Sequence, residues 1–480
     1  MKGDAVNKIL LVYENENFHK QIKYSSEIMF ENYNICIDVK TKSESSIHSS
    51  KYDLIISYGK TIFLKDYSVH IFEGKLFGTG YLKAESIPKK VSMYNGLPVL
   101  FYREDIDYFI EKNSEKLYIN IDIIQTIFFF LSAYEEYVLD EYDDRGRFCI
   151  QKSLLYRENL INRLIINETL EIIINEVKNN FNLNLNNKNY WGDRRFAVSL
   201  SHDVDIVKKY STVTREIKVL LYILIKRRNI KEFLYRFKEY IKVKMFNKKD
   251  IYDTFDQILN LENKLGFKSS FYFMSDNSIY KLKSKEIKKL INKIFSYGCE
   301  VGIHPGLNTC NNINAFGKQI NSFNSILRFN PKGARQHYLS FDARKTWCIQ
   351  EKFSFIYDTT FGYPQVAGFK ASYCYPYKPY ILSEDRVSSV WEIPLNIMDG
   401  TLLHYMNLDF EEAKAYIIDL MNKTESYGGI LTILWHNSSI NSEYSIFSED
   451  LFNWLYMEIY NRNCMVESHI NIVDLISKSK

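Results

Sequence analysis

The chain has 480 residues, a formal net charge of +4, 46% hydrophobic and 25% charged residues, which is the make-up of an ordinary globular protein able to bury a core. With only 8 Pro and 19 Gly, collagen-like, Pro-rich and Gly-linker architectures are excluded, and the length predicts two to four domains. The mild positive charge does not point to nucleic acid, and the 37 Tyr and 32 Phe read as compositional bias rather than as a function.

In chain order, Met1-Lys2-Gly3-Asp4 leads into a short apolar run at 8–12, too short for a signal-peptide core. Residues 8–12 and 53–58 read as buried strands, and 121–139 and 160–180 as helices with broad apolar faces. The Asn-rich stretch 180–189 reads as a linker. These signals predict an N-terminal α/β domain at 1–185 and a second domain at 190–480. The apolar runs 127–131 and 219–225 are far too short to span a bilayer, so no transmembrane segment is expected. The densest basic stretch runs from Lys226-Arg227-Arg228 to Lys249 through an amphipathic pattern of Ile230, Phe233, Leu234, Phe237 and Ile241. It reads either as a patch meeting anionic membrane or a phosphate-bearing substrate, or more plainly as a solvated helix face. Seven cysteines, an odd number without a CxxC pair, argue against a disulfide framework or a zinc knuckle and for reduced thiols in a cytoplasmic protein.

The second half is rhythmic. Strand-like runs at 196–201, 269–274, 300–304, 334–339, 353–358, 390–397 and 430–435 alternate with helical periodicity at 252–264, 284–296, 313–327 and 410–426. Seven such units predict a parallel barrel or open barrel. Polar chemistry recurs at the carboxyl ends of the runs: His202-Asp203-Val204-Asp205, His304-Pro305, Arg335-Gln336-His337, Asp358, Asp399 and His436-Asn437. That is the end at which βα barrels assemble active sites. Asp203 and Asp205, two apart, suit one metal or one water, or else cap a turn. His304 suits a first-row metal or a hydrogen-bonded strand end. His436 suits a general acid.

Taken in order, these segments resemble the polysaccharide deacetylase (NodB homology) family, carbohydrate esterase family 4 in the broad sense. The stretch Ser199-Leu200-Ser201-His202-Asp203-Val204-Asp205 resembles the first motif. Gly302-Ile303-His304-Pro305-Gly306-Leu307-Asn308 resembles the second and Gly333-Ala334-Arg335-Gln336-His337 the third. Tyr357-Asp358-Thr359 with Gly368-Phe369-Lys370 resembles the fourth, and Leu434-Trp435-His436-Asn437 the fifth. Through Glu135-Glu136-Tyr137 and Asp144-Arg145-Gly146-Arg147-Phe148, the first half resembles the poorly characterised domain that precedes such deacetylases in bacterial surface-polysaccharide gene sets.

The resemblance implies an α/β fold in which the N-terminal α/β domain is followed by a deformed (β/α)7 barrel. It implies metal-dependent removal of an acyl group from an amino-sugar amide, a hydrolase activity on a carbohydrate partner, with zinc the first choice of divalent ion. It assigns Asp203 as base, His436 as acid and Arg335 as the pocket arginine, with Asp205 and His304 as metal ligands. The second ligand histidine of the family falls where this chain has Asn308, so Asn308 itself, His337 or His202 is expected to complete the site. Tyr363, Phe369, Lys370 and Tyr373 are the expected substrate contacts, Lys370 standing where relatives carry arginine. Asn308 and Val204 also motivate the alternative of an inactive carbohydrate-binding or assembly protein that keeps the barrel.

Overall fold

Near-continuous apolar runs form the central strands of both halves, as a parallel sheet covered on both faces requires. The computed structural model describes residues 7–44, 49–106, 108–113, 115–246, 248–276, 279–441 and 447–479; Met1-Lys2-Gly3-Asp4 lies outside them. In the N-terminal half the strands are β1 (Asn7–Tyr13), β2 (Ile35–Thr41), β3 (Leu54–Gly59) and β4 (Val69–Phe72). A small hairpin of β5 (Ser92–Tyr94) and β6 (Leu97–Val99) follows, then β7 (Ile110–Asn113) and β8 (Lys116–Ile119). The six-stranded sheet runs β2-β1-β3-β4-β8-β7, parallel except at β7–β8. The helical stretch expected at 121–139 is two helices, Ile123–Leu131 and Tyr134–Leu139, because Ala133 between them adopts a left-handed φ of +50°. The Asp122 carboxylate caps the first by accepting from the Gln125 N–H at 2.8 Å.

In the C-terminal half the strands are β9 (Ala197–Val204), β10 (Ser269–Phe273), β11 (Glu300–Ile303), β12 (Gly333–Ala334) and β13 (Tyr357–Asp358). An antiparallel pair, β14 (Tyr380–Ile381) and β15 (Arg386–Val387), precedes β16 (Trp391–Glu392), β17 (Ile397–Met398), β18 (Ile430–Leu434) and β19 (Met465–Val466). The main sheet is wholly parallel, in the order β16-β13-β12-β11-β10-β9-β18-β17, with β19 added beside β9. The helices Phe255–Leu265, Lys285–Ser296, Ile313–Leu327 and Phe410–Tyr427 occupy the predicted gaps.

The run expected as one strand at 390–397 is split in two. Pro394 lies between β16 and β17 and has no N–H to donate. The segment still bridges the sheet: the Ile393 N–H donates to Asp358 O at 2.9 Å and the Asn396 N–H to Thr432 O at 3.2 Å. It therefore leaves β13 and joins β18, so that seven strand positions curl into a deformed barrel behind the N-terminal α/β domain. The runs at 334–339 and 353–358 shorten to two paired residues each. The first turns away at residues 337–339, where Tyr338 takes φ +62°.

One hydrophobic cluster extends from Ile9 to Ile476 through both halves. Backbone bonds cross between them: Phe369 N–H to Ile161 O at 2.7 Å and Ile166 N–H to Ser372 O at 3.2 Å. At this contact Lys370 Nζ meets the Glu136 carboxylate at 2.7 Å, both side chains 6% exposed. Neighbouring Glu135 accepts from the Leu154 N–H at 2.8 Å, and burial, reinforced by the charge of Glu136, pushes its carboxyl up from 4.5 to about 8. An acid raised on folding holds its proton in the folded chain while the unfolded chain releases it. Its contribution is therefore fully present below 4.5 and is lost as pH rises to about 8. Glu135→Gln, which keeps the acceptor, is expected to remove on the order of 5 kcal/mol of this fall. Melting temperatures of both chains across that pH window check it; parallel slopes would refute the assignment.

Candidate functional site

The carboxyl ends of the central barrel strands meet at one cavity of about 170 Å³, lined by Asp203, Asp205, His304, His337 and His436 together with Arg147, Tyr338, Leu339, Pro364, Met398, Gly400, Tyr405 and Leu434. Strand alternation explains the first pair. Asp203 lies inside β9 and Asp205 one residue beyond its end, so both project to the same side. His202 projects to the other side, where its ring contacts Trp435 O at 2.7 Å and Glu262 Oε1 at 3.0 Å. It is a core histidine and takes no part in the site.

Asp205 Oδ1 lies 3.3 Å from His304 Nε2 and 3.7 Å from His337 Nε2. Ligand atoms of Asp205, His304 and His337 all fall within 4.8 Å of one another, the arrangement of a three-donor metal site. The other nitrogen of His304, Nδ1, is 2.6 Å from Arg335 O. Donation to that carbonyl aims Nε2 at Asp205; burial alone would lower this imidazole, but the Asp203 and Asp205 carboxylates raise it, so Nε2 carries a proton that a bound cation would displace. His337 stands 4.0 Å, centroid to centroid, above the ring of Tyr338. Burial, aided by the charge of His304, lowers its imidazole to about 4, so at neutral pH it is an uncharged donor. Burial alone would raise Asp205; the hydrogen bond from His304 and the charges of His304, His436 and His337 overcome it and hold the carboxyl well below its usual range. A carboxylate and two imidazoles with an open side fit a divalent ion.

Asn308 is not in this group. It sits exposed in the loop after β11 with φ +65°. The loop turns early: the Gly306 N–H donates to Gln319 Oε1 at 2.8 Å and Thr309 Oγ1 to Gly306 O at 2.6 Å. The position four residues after His304 is thereby carried away from the cavity, and His337 stands where a second imidazole is needed.

Asp203 Oδ1 is 3.3 Å from Arg335 Nη1, and its Oδ2 is 3.8 Å from His304 Nε2. Arg335 is fully buried and donates to Ser201 Oγ at 2.8 Å, Thr359 O at 3.0 Å and Thr359 Oγ1 at 3.0 Å. It does not line the cavity; it holds Asp203 from below. His436 Nδ1 is 2.7 Å from Asp399 Oδ1, whose other oxygen accepts from the His436 N–H at 3.0 Å. Burial alone would lower this imidazole, but the Asp399 carboxylate prevails and raises it to about 10, so it carries a proton at neutral pH. His436 Nε2 points back to Asp205 Oδ2 at 3.8 Å.

The four residues expected to contact substrate lie elsewhere. Tyr363 Oη is 2.7 Å from Ser153 Oγ, Tyr373 Oη accepts from Asn32 Nδ2 at 2.6 Å, Phe369 is fully buried and Lys370 holds Glu136. All four serve the contact between the halves, because the segment after β13, which reaches the cavity only at Pro364, otherwise turns toward the N-terminal domain. The aromatics at the mouth are instead Tyr338 and Tyr405, 41% and 46% exposed. Arg147 comes from the N-terminal half: Asp143 holds it at 2.6 Å, and its Nη1 approaches Tyr405 Oη at 3.4 Å. Its loop is fastened by Gly146 O, which accepts from the Phe341 N–H at 2.9 Å. The motif Asp144-Arg145-Gly146-Arg147-Phe148 marks this arginine in the sequence, but nothing local places it at the cavity.

The model of a family of unknown function, DUF7033, matches residues 10–182. No curated protein matches the chain. Among solved structures, a Mycobacterium smegmatis protein assigned to the polysaccharide deacetylases is 13% identical with a TM-score of 0.41, over 60% of this chain and 92% of its own. A Pseudomonas aeruginosa protein assigned likewise is 11% identical with a TM-score of 0.40, over 61% and 95%. A Bacillus anthracis CE4 family pseudoenzyme is 12% identical with a TM-score of 0.32, over 59% and 66%. Among the described residues no helix is long and apolar enough to cross a membrane.

Proposed function

We propose that the barrel is a metal-dependent hydrolase that removes an acyl group from an amino-sugar amide, acting on a surface-polysaccharide glycan or its precursor in the cytoplasm. The observation that carries this reading is the convergence of Asp203, Asp205, His304, His337 and His436 on one cavity. Asp205, His304 and His337 would hold the ion, with zinc the first choice for a carboxylate and two imidazoles. A bound divalent cation would supply Lewis acidity toward the acyl carbonyl and toward water.

The chain's own residues do the proton work. Asp203, oriented by the Arg335 guanidinium, takes the proton of the attacking water. His436, kept protonated by Asp399, delivers a proton to the departing amine so that it leaves neutral. The carboxylate behind the imidazole fixes which nitrogen faces the cavity, as in other Asp–His pairs. Tyr338 and Tyr405 offer aromatic faces on which a sugar ring can stack at the mouth.

Acetate release from N-acetylated amino-sugar oligomers tests the reading. Asp203→Asn is expected to abolish release. Asp399→Asn should reduce it by about 10⁴-fold, the scale of losing an orienting carboxylate, with folding unchanged. Release that is insensitive to chelator and to both substitutions would overturn it, and glycan binding without turnover would favour the inactive assembly protein.

A further inference from the structure

Between β9 and the helix Phe255–Leu265 the chain makes an excursion that the barrel does not require. It consists of a helix Val213–Tyr222, a wide turn Ile223–Arg227, a left-handed Arg228 at φ +52° and a second helix Ile230–Met245. The turn and caps make it a defined hairpin rather than a loose loop. Asn229 Oδ1 accepts from the Glu232 N–H at 3.0 Å, and Arg236 pairs with the buried Glu216 on the other helix. Its base is clipped shut: the Asp250 carboxylate accepts from the Lys209 and Tyr210 N–H groups, both at 2.9 Å.

Two properties set this hairpin apart. The helix Ile230–Met245 buries none of its residues, and most large apolar side chains of both helices are exposed, Leu220 being buried and Phe233 and Ile241 half-buried. Of 26 exposed large hydrophobics among the described residues, 12 lie in 213–246. They fall in helical stripes: Val213, Ile217 and Leu221 at four-residue spacing, and Ile230, Leu234 and Phe237, each between 44% and 63% exposed. The second property is charge. Residues 211–249 carry twelve Lys and Arg against three Glu, a balance of +9 in a chain of +4, so the remainder carries −5. An apolar stripe flanked by dense basic residues is the make-up of a helix lying in a bilayer interface. A second copy of the same face is a poor occupant, since two strongly basic surfaces repel, and nucleic acid offers nothing to the apolar stripe.

We propose that the 213–246 hairpin docks the protein on an anionic membrane surface, its apolar stripe in the headgroup boundary and its basic residues on the lipid charges. The excursion leaves from the carboxyl end of β9, its first helix starting eight residues after Asp205, so the hairpin rises from the same end of the barrel as the cavity. Docking thereby holds the catalytic end of the sheet near the bilayer, where a glycan carried on a lipid would be presented.

The test is co-sedimentation of the full-length chain with phosphatidylcholine vesicles with and without phosphatidylglycerol. Binding is expected with phosphatidylglycerol only, and to weaken steeply with salt. Ile217→Glu/Leu221→Glu/Leu234→Glu is expected to lower partitioning at least tenfold. Lys226→Glu/Arg228→Glu/Lys231→Glu, which spares the Arg227–Glu232 and Arg236–Glu216 pairs, should do the same. None of the six positions lines the cavity, so release of acetate from a soluble substrate stays unchanged and separates this inference from the proposed reaction. Equal sedimentation of wild type and variants, or none with anionic vesicles, would overturn it. So would a dimer that the apolar variants convert to monomer while vesicle binding persists.

Discussion

His337→Ala is expected to weaken divalent-ion binding by two orders of magnitude or more and to abolish acetate release, whereas Asn308→Ala leaves both within about threefold. The two substitutions separate spacing from geometry. Asn308 occupies the sequence position of a second ligand histidine, yet it lies exposed at φ +65° outside the cavity. His337 arrives from the next strand, 3.7 Å from Asp205, and burial keeps it uncharged at neutral pH, the state a ligand needs. Competition of a metallochromic indicator with zinc, followed for wild type and both variants, reads affinity without any turnover. A His337→Ala chain that keeps wild-type affinity, or an Asn308→Ala chain that loses it, would return the ligand role to the loop after β11.

The second large effect is on stability. Glu136→Met, which strands the Lys370 ammonium at 6% exposure, is expected to cost about 3–5 kcal/mol, the scale of breaking a buried ion pair by removing one partner. Lys370→Met should cost less. Burial already raises the Glu136 carboxyl above its usual value, so without its partner it takes up a proton rather than remaining as a buried charge. The double variant should recover most of the loss, because two thioethers of similar volume need no desolvation of charge. For a chain of this length about 1 kcal/mol corresponds to about 1 °C, so calorimetry should resolve a fall of about 3–5 °C for Glu136→Met and its recovery in the double variant. Equal losses in all three chains would mean that the packing of the aliphatic stems, rather than charge, holds the two halves together here. Lys370 also lies 4.2 Å from the ring centre of Phe361, a cation–π contact that the single Glu136→Met variant retains.

Both predictions turn on residues whose types were legible and whose places were not. The strand-end pattern exposed Asp203, Asp205, His304, His337 and His436 as a set, because strands of a parallel barrel bring their carboxyl ends to one face. It could not place the Asp399 carboxylate 2.7 Å from His436, or put Arg335 beneath Asp203 rather than in the cavity. The expected substrate contacts were misplaced because Tyr363, Phe369, Lys370 and Tyr373 follow a strand end in sequence while the chain there turns to cover Glu136 and Ser153. Arg147 is legible as part of a motif but not as a cavity residue, because its partner across the cavity, Tyr405, is 258 positions away.

The sequence by itself determined what is local: the strands of the barrel by their apolar runs, and the amphipathic, basic pattern of residues 226–249. The tertiary structure decided what depends on closure of the chain over long distances. It brought His337, rather than Asn308 or His202, beside Asp205 and His304, assigned the fourth-motif aromatics to the contact between the halves, and left the hairpin's apolar stripe uncovered. Side-chain periodicity is written residue by residue, whereas which strand end faces which loop is set only when the sheet curls and the two halves pack into one core.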